Sequence, residues 1–228
     1  MDYKLFVTAA LEEASEIANK SFGKVSGTTK EGDTNQVLTE TDLEIGKLLV
    51  EKVQKQFPSH NIIDEEAGVI ENNSEFTWVI DPIDGTSNFA NGVPTYGIMI
   101  GLLQQDKPLV GGISLPFFKE ILYAEHEKGS FCNGERIFVS KEVNLLNSLI
   151  AYGIDGHQED PDITFKEAKI LANIVLNVKN LRSSNSAFDA VMVAKGKYGG
   201  SLNRTTKIWD NVAQQIIIEE AGGIYTDF

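Results

Sequence analysis

The stretch WVIDPIDGTSNFANGVPTYGIMIGL, residues 78–102, decides how this chain is read. An apolar run, WVI, leads into two carboxylates, Asp81 and Asp84, with Pro82 between them. Pro82 fixes its own φ and biases Asp81 towards extended geometry, which predicts a strand ending near Asp81 and a turn that aims both carboxylates at one point. Gly85 permits close backbone approach, and Thr86, Ser87 and Asn88 follow as the start of a helical turn, whose first amides suit an anion such as phosphate. Two carboxylates beside an anion cradle make chemical sense if hard cations lie between them; Mg²⁺ takes oxygen ligands, a few carboxylates and the rest substrate or water. Taken alone, however, the Asp-x-x-Asp pattern fits a tight turn with Asp81 as its cap more simply.

Outward from this segment the periodicities alternate. Leu5, Ala9, Ala10, Glu13, Ile17 and Ala18 give a helical period over 3–22, and a second helix is predicted over 41–57, with Ile45, Leu48, Leu49 and Val53 on one face and Pro58 past its end. The polar, glycine-containing segment 24–36 between them reads as a loop. Short strands follow at 61–64, 76–81, 95–103, 109–116 and 120–125, and Asn133-Gly134 marks a tight turn. After Val143 a strand at 148–153, a helix at 164–175, a strand at 178–183, a helix at 186–196, a strand at 197–202 and a helix at 209–223 alternate. This order predicts a layered α/β or α+β arrangement with no internal repeat.

Composition narrows the function classes. The chain has 228 residues, 42% hydrophobic and 23% charged, as in soluble globular proteins, and a formal net charge of -13. Such a chain repels nucleic acid, and no Lys/Arg run offsets that; it also repels a phosphorylated metabolite unless bound cations reverse the local sign. The single cysteine, Cys132, excludes an internal disulfide and reads as structural, and His60, His126 and His157 lack metal-ligand spacing. The N-terminal segment has the pattern of an amphipathic helix, not a signal peptide, and no stretch approaches the ~18 apolar residues of a membrane span. The expectation is a cytoplasmic protein with no membrane and no nucleic-acid partner.

Two further acidic patches change the weight of the first. IIDEEAG (62–68) places Asp64, Glu65 and Glu66 at a strand end, and by itself reads as a solvated turn. IWDNVAQQIIIEEAGG (208–223) opens an apolar helix with Asp210, by itself an N-terminal cap. Together with VLTETD (37–42), DPIDGTSNF and the WD…EEAGG helix, the set resembles the inositol monophosphatase family of Mg²⁺-dependent, lithium-sensitive phosphatases, over essentially the whole chain. The resemblance implies an α+β fold, a layered α-β-α-β-α sandwich in a single domain over 1–228, with a helix and mixed sheet to about residue 145 and an α/β part beyond it. It implies two or three Mg²⁺ ions, with Glu65, Asp81 and the Ile83 carbonyl on the first and Asp81, Asp84 and Asp210 on the second. Thr86, paired with Asp42, would orient or activate the attacking water, with Glu65 beside them in the catalytic group. Gly85, Thr86 and Ser87 would hold phosphate oxygens, and Ser186, Ala187 and Asn203 would contact the rest of the substrate. The implied activity is hydrolysis of a small polyol or sugar phosphate, by default inositol 1-phosphate, with lithium inhibiting and a homodimer as the assembly. Fructose 1,6-bisphosphate is the alternative substrate, then histidinol phosphate or 3′-phosphoadenosine 5′-phosphate, and a non-catalytic relative is the remaining reading.

Four positions depart from the family pattern. Gln36 stands where an acidic residue is frequent, and the first patch reads Asp64-Glu65-Glu66-Ala67 in place of GEES. Asn185 replaces a glycine near the substrate pocket. Asn203 replaces the glutamate of inositol-specific members, and Arg204 and Lys207 follow it as cations available to a second phosphate. Similar proteins also run roughly 30 residues past the final YTDF.

Overall fold

The computed structural model describes residues 2–30 and 33–226, and only the backbone of 33–36. Its elements in chain order are α1 (Tyr3–Ser21), β1 (Thr28–Lys30), β2 (Asp33–Leu38), α2 (Glu40–Gln56), β3 (Asn61–Asp64), β4 (Gly68–Ile70) and β5 (Phe76–Asp84). Then come α3 (Thr86–Ala90), β6 (Gly97–Gln104), β7 (Lys107–Leu115), β8 (Glu120–Glu125), β9 (Gly129–Cys132), β10 (Glu135–Arg136) and β11 (Leu149–Gly153). The chain continues through α4 (Pro161–Asn177), β12 (Asn180–Arg182), α5 (Ala187–Ala194), β13 (Gly200–Asn203) and α6 (Ile208–Glu220).

Eight strands form one sheet in the order β10-β9-β8-β7-β6-β5-β3-β4, antiparallel except for the β3–β5 pair. A second, parallel sheet has the order β12-β11-β13. Alternation along β5 explains the layering: Trp78 and Ile80 join the core under α1 and α2, whereas Val79 packs with Val212 of α6 on the other face. Both faces of the large sheet are thus covered, which is why GIMIGLL is buried throughout without a polar alternation. α5 and α6 fill the space between the sheets, and α4 lies outside the small one. The result is an α-β-α-β-α stack. Two glycines in LVGGISLP set its spacing: a Cβ on Gly111 would stand 2.4 Å from Ile216, and one on Gly112 would stand 2.3 Å from Val7, so α6 and α1 can each approach the sheet backbone.

The core accounts for one histidine. Trp78 is fully buried among Tyr3, Phe6 and Phe57, and its indole N–H donates to Nδ1 of His60 at 3.1 Å. His60 is therefore a hydrogen-bond acceptor for the core. Asn133 and Gly134, both at positive φ, make the expected tight turn between β9 and β10.

Three expectations are corrected. The segment read as a loop over 24–36 carries most of the β1–β2 hairpin, whose residues up to 36 are polar and give no apolar period to reveal it; Glu31 and Gly32 lie outside the described residues, as does the side chain of Gln36. The strand expected to end near Asp81 continues to Asp84, because the register against β6 shifts between Asp81 and Asp84 and a local irregularity absorbs Pro82. β4, β9 and β10 were not expected; each has four residues or fewer, too short for a period to show.

Candidate active site

The acidic patches, far apart in sequence, meet at the ends of β3 and β5 and at the start of α6. Among the described residues, one carboxylate oxygen from each of Asp81, Asp84 and Asp210 lies within 4.8 Å of the others. Asp81 is buried, and its Oδ1 has no hydrogen-bond partner. The parallel pairing of β3 with β5, in register Asp64 to Ile80, brings Glu65 to the same group. Burial pushes the carboxyls of Asp81 and Asp84 well above the usual carboxylate range, and their acidic neighbours push them further. Burial likewise raises Glu65 and Asp210. Four acidic groups that resist ionisation together are a site that a divalent cation would stabilise.

Local chemistry explains each placement. Asp210 is not the N-terminal cap expected of it: Lys207 is the N-cap, and Asp210, at the third helical position, reaches back to accept from the Lys207 backbone N–H, which also sets it close to Asp81 and Asp84. Trp209, packed with Val79, Leu103 and Val212, seats that first turn on the sheet. Asp64 Oδ1 accepts from the N–H groups of Glu66 (3.0 Å) and Ala67 (2.6 Å), fixing the turn that presents Glu65. A cation also sits here that the sequence reading missed. Lys30, from the unexpected hairpin, places Nζ 2.7 Å from Glu65 and 2.6 Å from Glu66. Only the hairpin register brings residue 30 to residue 65, so no local pattern could have found it.

Thr86 and Asp42, from α3 and α2, are in hydrogen-bond contact. The Thr86 hydroxyl lies 3.0 Å from Asp42 Oδ1 and 2.8 Å from the Ile83 carbonyl, two acceptors competing for one hydrogen. Asp42 is buried and held by the backbone N–H and hydroxyl of Thr39, the N-cap of α2; burial is the main cause that raises its pKa. Gly85 has φ +88, and a Cβ there would stand 2.8 Å from Ser186, so α3 can start against the segment carrying Ser186 only with glycine. Asn88, expected with Thr86 and Ser87 to open a helical turn, also ties the two segments together by donating to the carbonyls of Thr95 and Ser184, each at 2.8 Å.

A cavity of about 450 Å³ opens from the carboxylates between α3, the 184–186 segment and the end of β13. Glu65, Asp81, Ile83, Asp84, Gly85, Thr86, Ser87, Ser186, Asn203 and Asp210 all line it. Ala187 does not: it is fully buried, and its backbone N–H is directed at the Asp84 carboxylate. Of the two cations expected near a second phosphate, Lys207 lines the cavity; Arg204 instead lies 4.0 Å from the buried Glu167.

The sequence model of the inositol monophosphatase family matches residues 2–228. The chain belongs to this family. A relative from Aquifex aeolicus, named fructose-1,6-bisphosphatase/inositol-1-monophosphatase, is 31% identical over 92% of this chain and 80% of its own. Inositol monophosphatase 2 of Solanum lycopersicum is 34% identical over 97% of this chain and 87% of its own. The solved structure of the Thermotoga maritima inositol monophosphatase superposes with a TM-score of 0.90 at 31% identity, covering 100% of this chain and 86% of that one. The fold is that of the inositol monophosphatases, and the protein is a phosphoric monoester hydrolase acting on small phosphorylated substrates. Among the described residues no helix is long and apolar enough to cross a membrane.

Proposed function

We propose that the protein is a Mg²⁺-dependent phosphomonoesterase of a small polyol or sugar phosphate, with inositol 1-phosphate as its default substrate. The observation that carries this is the convergence of Asp81, Asp84 and Asp210, with Glu65 beside them, at one end of a polar cavity. The donor set is all oxygen, and the orphaned, buried Oδ1 of Asp81 requires a cation or proton; both features fit Mg²⁺. Glu65, Asp81 and the Ile83 carbonyl would hold a first ion, Asp81, Asp84 and Asp210 a second. Bound magnesium supplies charge neutralisation on the transferring phosphoryl group, which also lets a chain of net charge -13 accept a dianion.

The chain's own groups do the rest. When the Thr86 hydroxyl donates to Asp42, its oxygen lone pairs are available to accept from the attacking water, and the Ile83 carbonyl is released for a metal. Gly85, Thr86 and Ser87 open α3, where backbone N–H groups lack helical partners and suit phosphate oxygens. Ser186 and Asn203 meet the non-phosphorylated end of the substrate.

Fructose 1,6-bisphosphate is the second reading, supported by Lys207 in the cavity wall and by relatives whose names carry both activities. Histidinol phosphate and 3′-phosphoadenosine 5′-phosphate follow. A non-catalytic relative would lack a metal ligand or the Thr86–Asp42 pair, and this chain has them all. Inhibition by lithium, homodimerisation and a cytoplasmic site belong to the same proposal. The test is phosphate release from these four substrates, with Mg²⁺ and with chelator. Magnesium-dependent turnover, fastest on inositol 1-phosphate by kcat/KM, is expected; turnover undiminished by chelator would refute the metal role.

A further inference from the structure

We propose that Asp155 is a positioning residue that sets the polarity of the distal pocket wall, so that this wall accepts hydroxyl groups and disfavours a second anion. The inference rests on the phosphatase reading above and adds which residues select the body of the substrate. Asp155 follows β11 and lines the same cavity as the carboxylates, without belonging to the cluster of Asp81, Asp84 and Asp210. Both of its oxygens are engaged: Asn185 Nδ2 donates to Oδ1 at 2.9 Å, and Thr205 Oγ1 lies 2.7 Å from Oδ2, the nearer of its two acceptors, with Asn203 Oδ1 at 3.1 Å.

This pairing has a directional consequence. An ionised carboxylate only accepts, so the amide nitrogen of Asn185 must face Asp155. Its Oδ1 then faces Asn203, whose Nδ2 donates to it at 3.3 Å. Asn203 Oδ1, in turn, accepts from the Thr205 backbone N–H at 3.1 Å. One carboxylate therefore orients two amides. Each amide nitrogen keeps a second hydrogen and Asn185 Oδ1 a second lone pair, a mixed set that matches vicinal hydroxyls better than a phosphate dianion.

The backbone is built around this contact. β11 and β13 pair with Gly153 opposite Asn203, and a Cβ on Gly153 would stand 2.4 Å from Asn185 Oδ1 and 3.0 Å from Asn203 Cγ. Glycine at 153 is what lets the two amides meet. Asn185 sits at φ +52, held by the buried Asp189, which accepts from the N–H groups of Ser184 and Asn185. Of the charges around the cavity, Asp155 adds a negative one, Arg204 is turned towards Glu167, and Lys207 remains as an opposing cation, which the comparison of the two substrates weighs directly.

The experiment compares steady-state kinetics on inositol 1-phosphate and fructose 1,6-bisphosphate for the wild type, Asp155→Asn, Thr205→Val and Thr205→Ser, each titrated with Mg²⁺. Asp155→Asn is isosteric but presents a donor to one of its two partners. We expect KM for inositol 1-phosphate to rise about tenfold, kcat to stay within about threefold, and the preference over the bisphosphate to fall about tenfold. Thr205→Val, which loses one of the two bonds, is expected to raise KM about threefold, and Thr205→Ser, which keeps the hydroxyl, to restore it. The half-saturating Mg²⁺ concentration should not move. A preference unchanged within about twofold in Asp155→Asn, or a Mg²⁺ requirement rising in step with KM, overturns the assignment, the second because Asp155 would then act through the metal site. A wild type that prefers the bisphosphate overturns it while leaving the phosphatase reading intact. A wild type inactive on both substrates overturns the inference, and inactivity on all four candidate substrates overturns the phosphatase reading with it.

Discussion

Replacing Asp81 with asparagine should stabilise the metal-free protein while abolishing its response to magnesium. Asp81 is 1% exposed and shares a 4.8 Å neighbourhood with Asp84 and Asp210. At an effective dielectric of about 20, two unit charges 4.8 Å apart repel by about 3.5 kcal/mol, so full ionisation of all three carboxylates in the absence of metal is strongly disfavoured. Partial protonation relieves much of this, and we expect a net gain of about 1–3 kcal/mol from Asp81→Asn in chelator, or about 2–12 °C in Tm for a chain of this size. The wild type at Mg²⁺ a hundredfold above its Kd should gain about 2.7 kcal/mol; Asp81→Asn should gain almost nothing and release no phosphate. The pH dependence carries the same sign. Folded-state pKa values raised by burial and acidic neighbours mean that the folded, metal-free chain binds more protons than the unfolded one. The contribution of these groups to stability is therefore fully present below the unfolded carboxylate pKa of about 4 and is lost as pH rises through the raised folded values, with a shallower loss in Asp81→Asn. Differential scanning fluorimetry in chelator and in Mg²⁺, at several pH values, reads all of this. A drop in Tm for Asp81→Asn in chelator, or a wild-type magnesium shift in that variant, would refute the reasoning.

Three further predictions follow from the same geometry. Thr86→Ala should lower kcat by about a hundredfold or more with little change in KM, since orientation of water matters in the transition state; an unaltered kcat would reduce Thr86 to a structural partner of Asp42. Lys30→Met should cost about 1–3 kcal/mol in chelator, where its ammonium is the cation facing Glu65 and Glu66, and less in saturating Mg²⁺; equal losses in both conditions would show that Lys30 is not standing in for a metal. Asp64→Ala frees the N–H groups of Glu66 and Ala67 and should raise the half-saturating Mg²⁺ concentration about tenfold, whereas Asp64→Asn, which keeps an acceptor, should raise it less; a Mg²⁺ titration in which both variants match the wild type would mean that the turn holds Glu65 without them.

What the sequence determined by itself is the machinery written in contiguous patches. Asp81, Asp84, Gly85 and Thr86 lie within six residues of one another, so the conformational preferences of Pro82 and Gly85 act on them directly, and a strand-to-helix turn was legible there. Amphipathic periods long enough to repeat, as in α1, α2 and α6, were legible for the same reason. Asp42, Glu65 and Asp210 could be gathered only through the likeness of their patches to a family, because nothing local states that three turns will meet. What only the tertiary structure decided are contacts set by strand register. The β1–β2 hairpin delivers Lys30 to Glu65 although its sequence offers only Val37 and Leu38 as apolar residues, too few to show a strand period. The parallel pairing of β11 with β13 puts Gly153 opposite Asn203 and so opens the space where Asn185 reaches both Asn203 and Asp155. Arg204, adjacent to Asn203 in sequence, lies just past the end of β13, and its guanidinium stands 4.0 Å from Glu167 of α4, a placement that no local pattern announces.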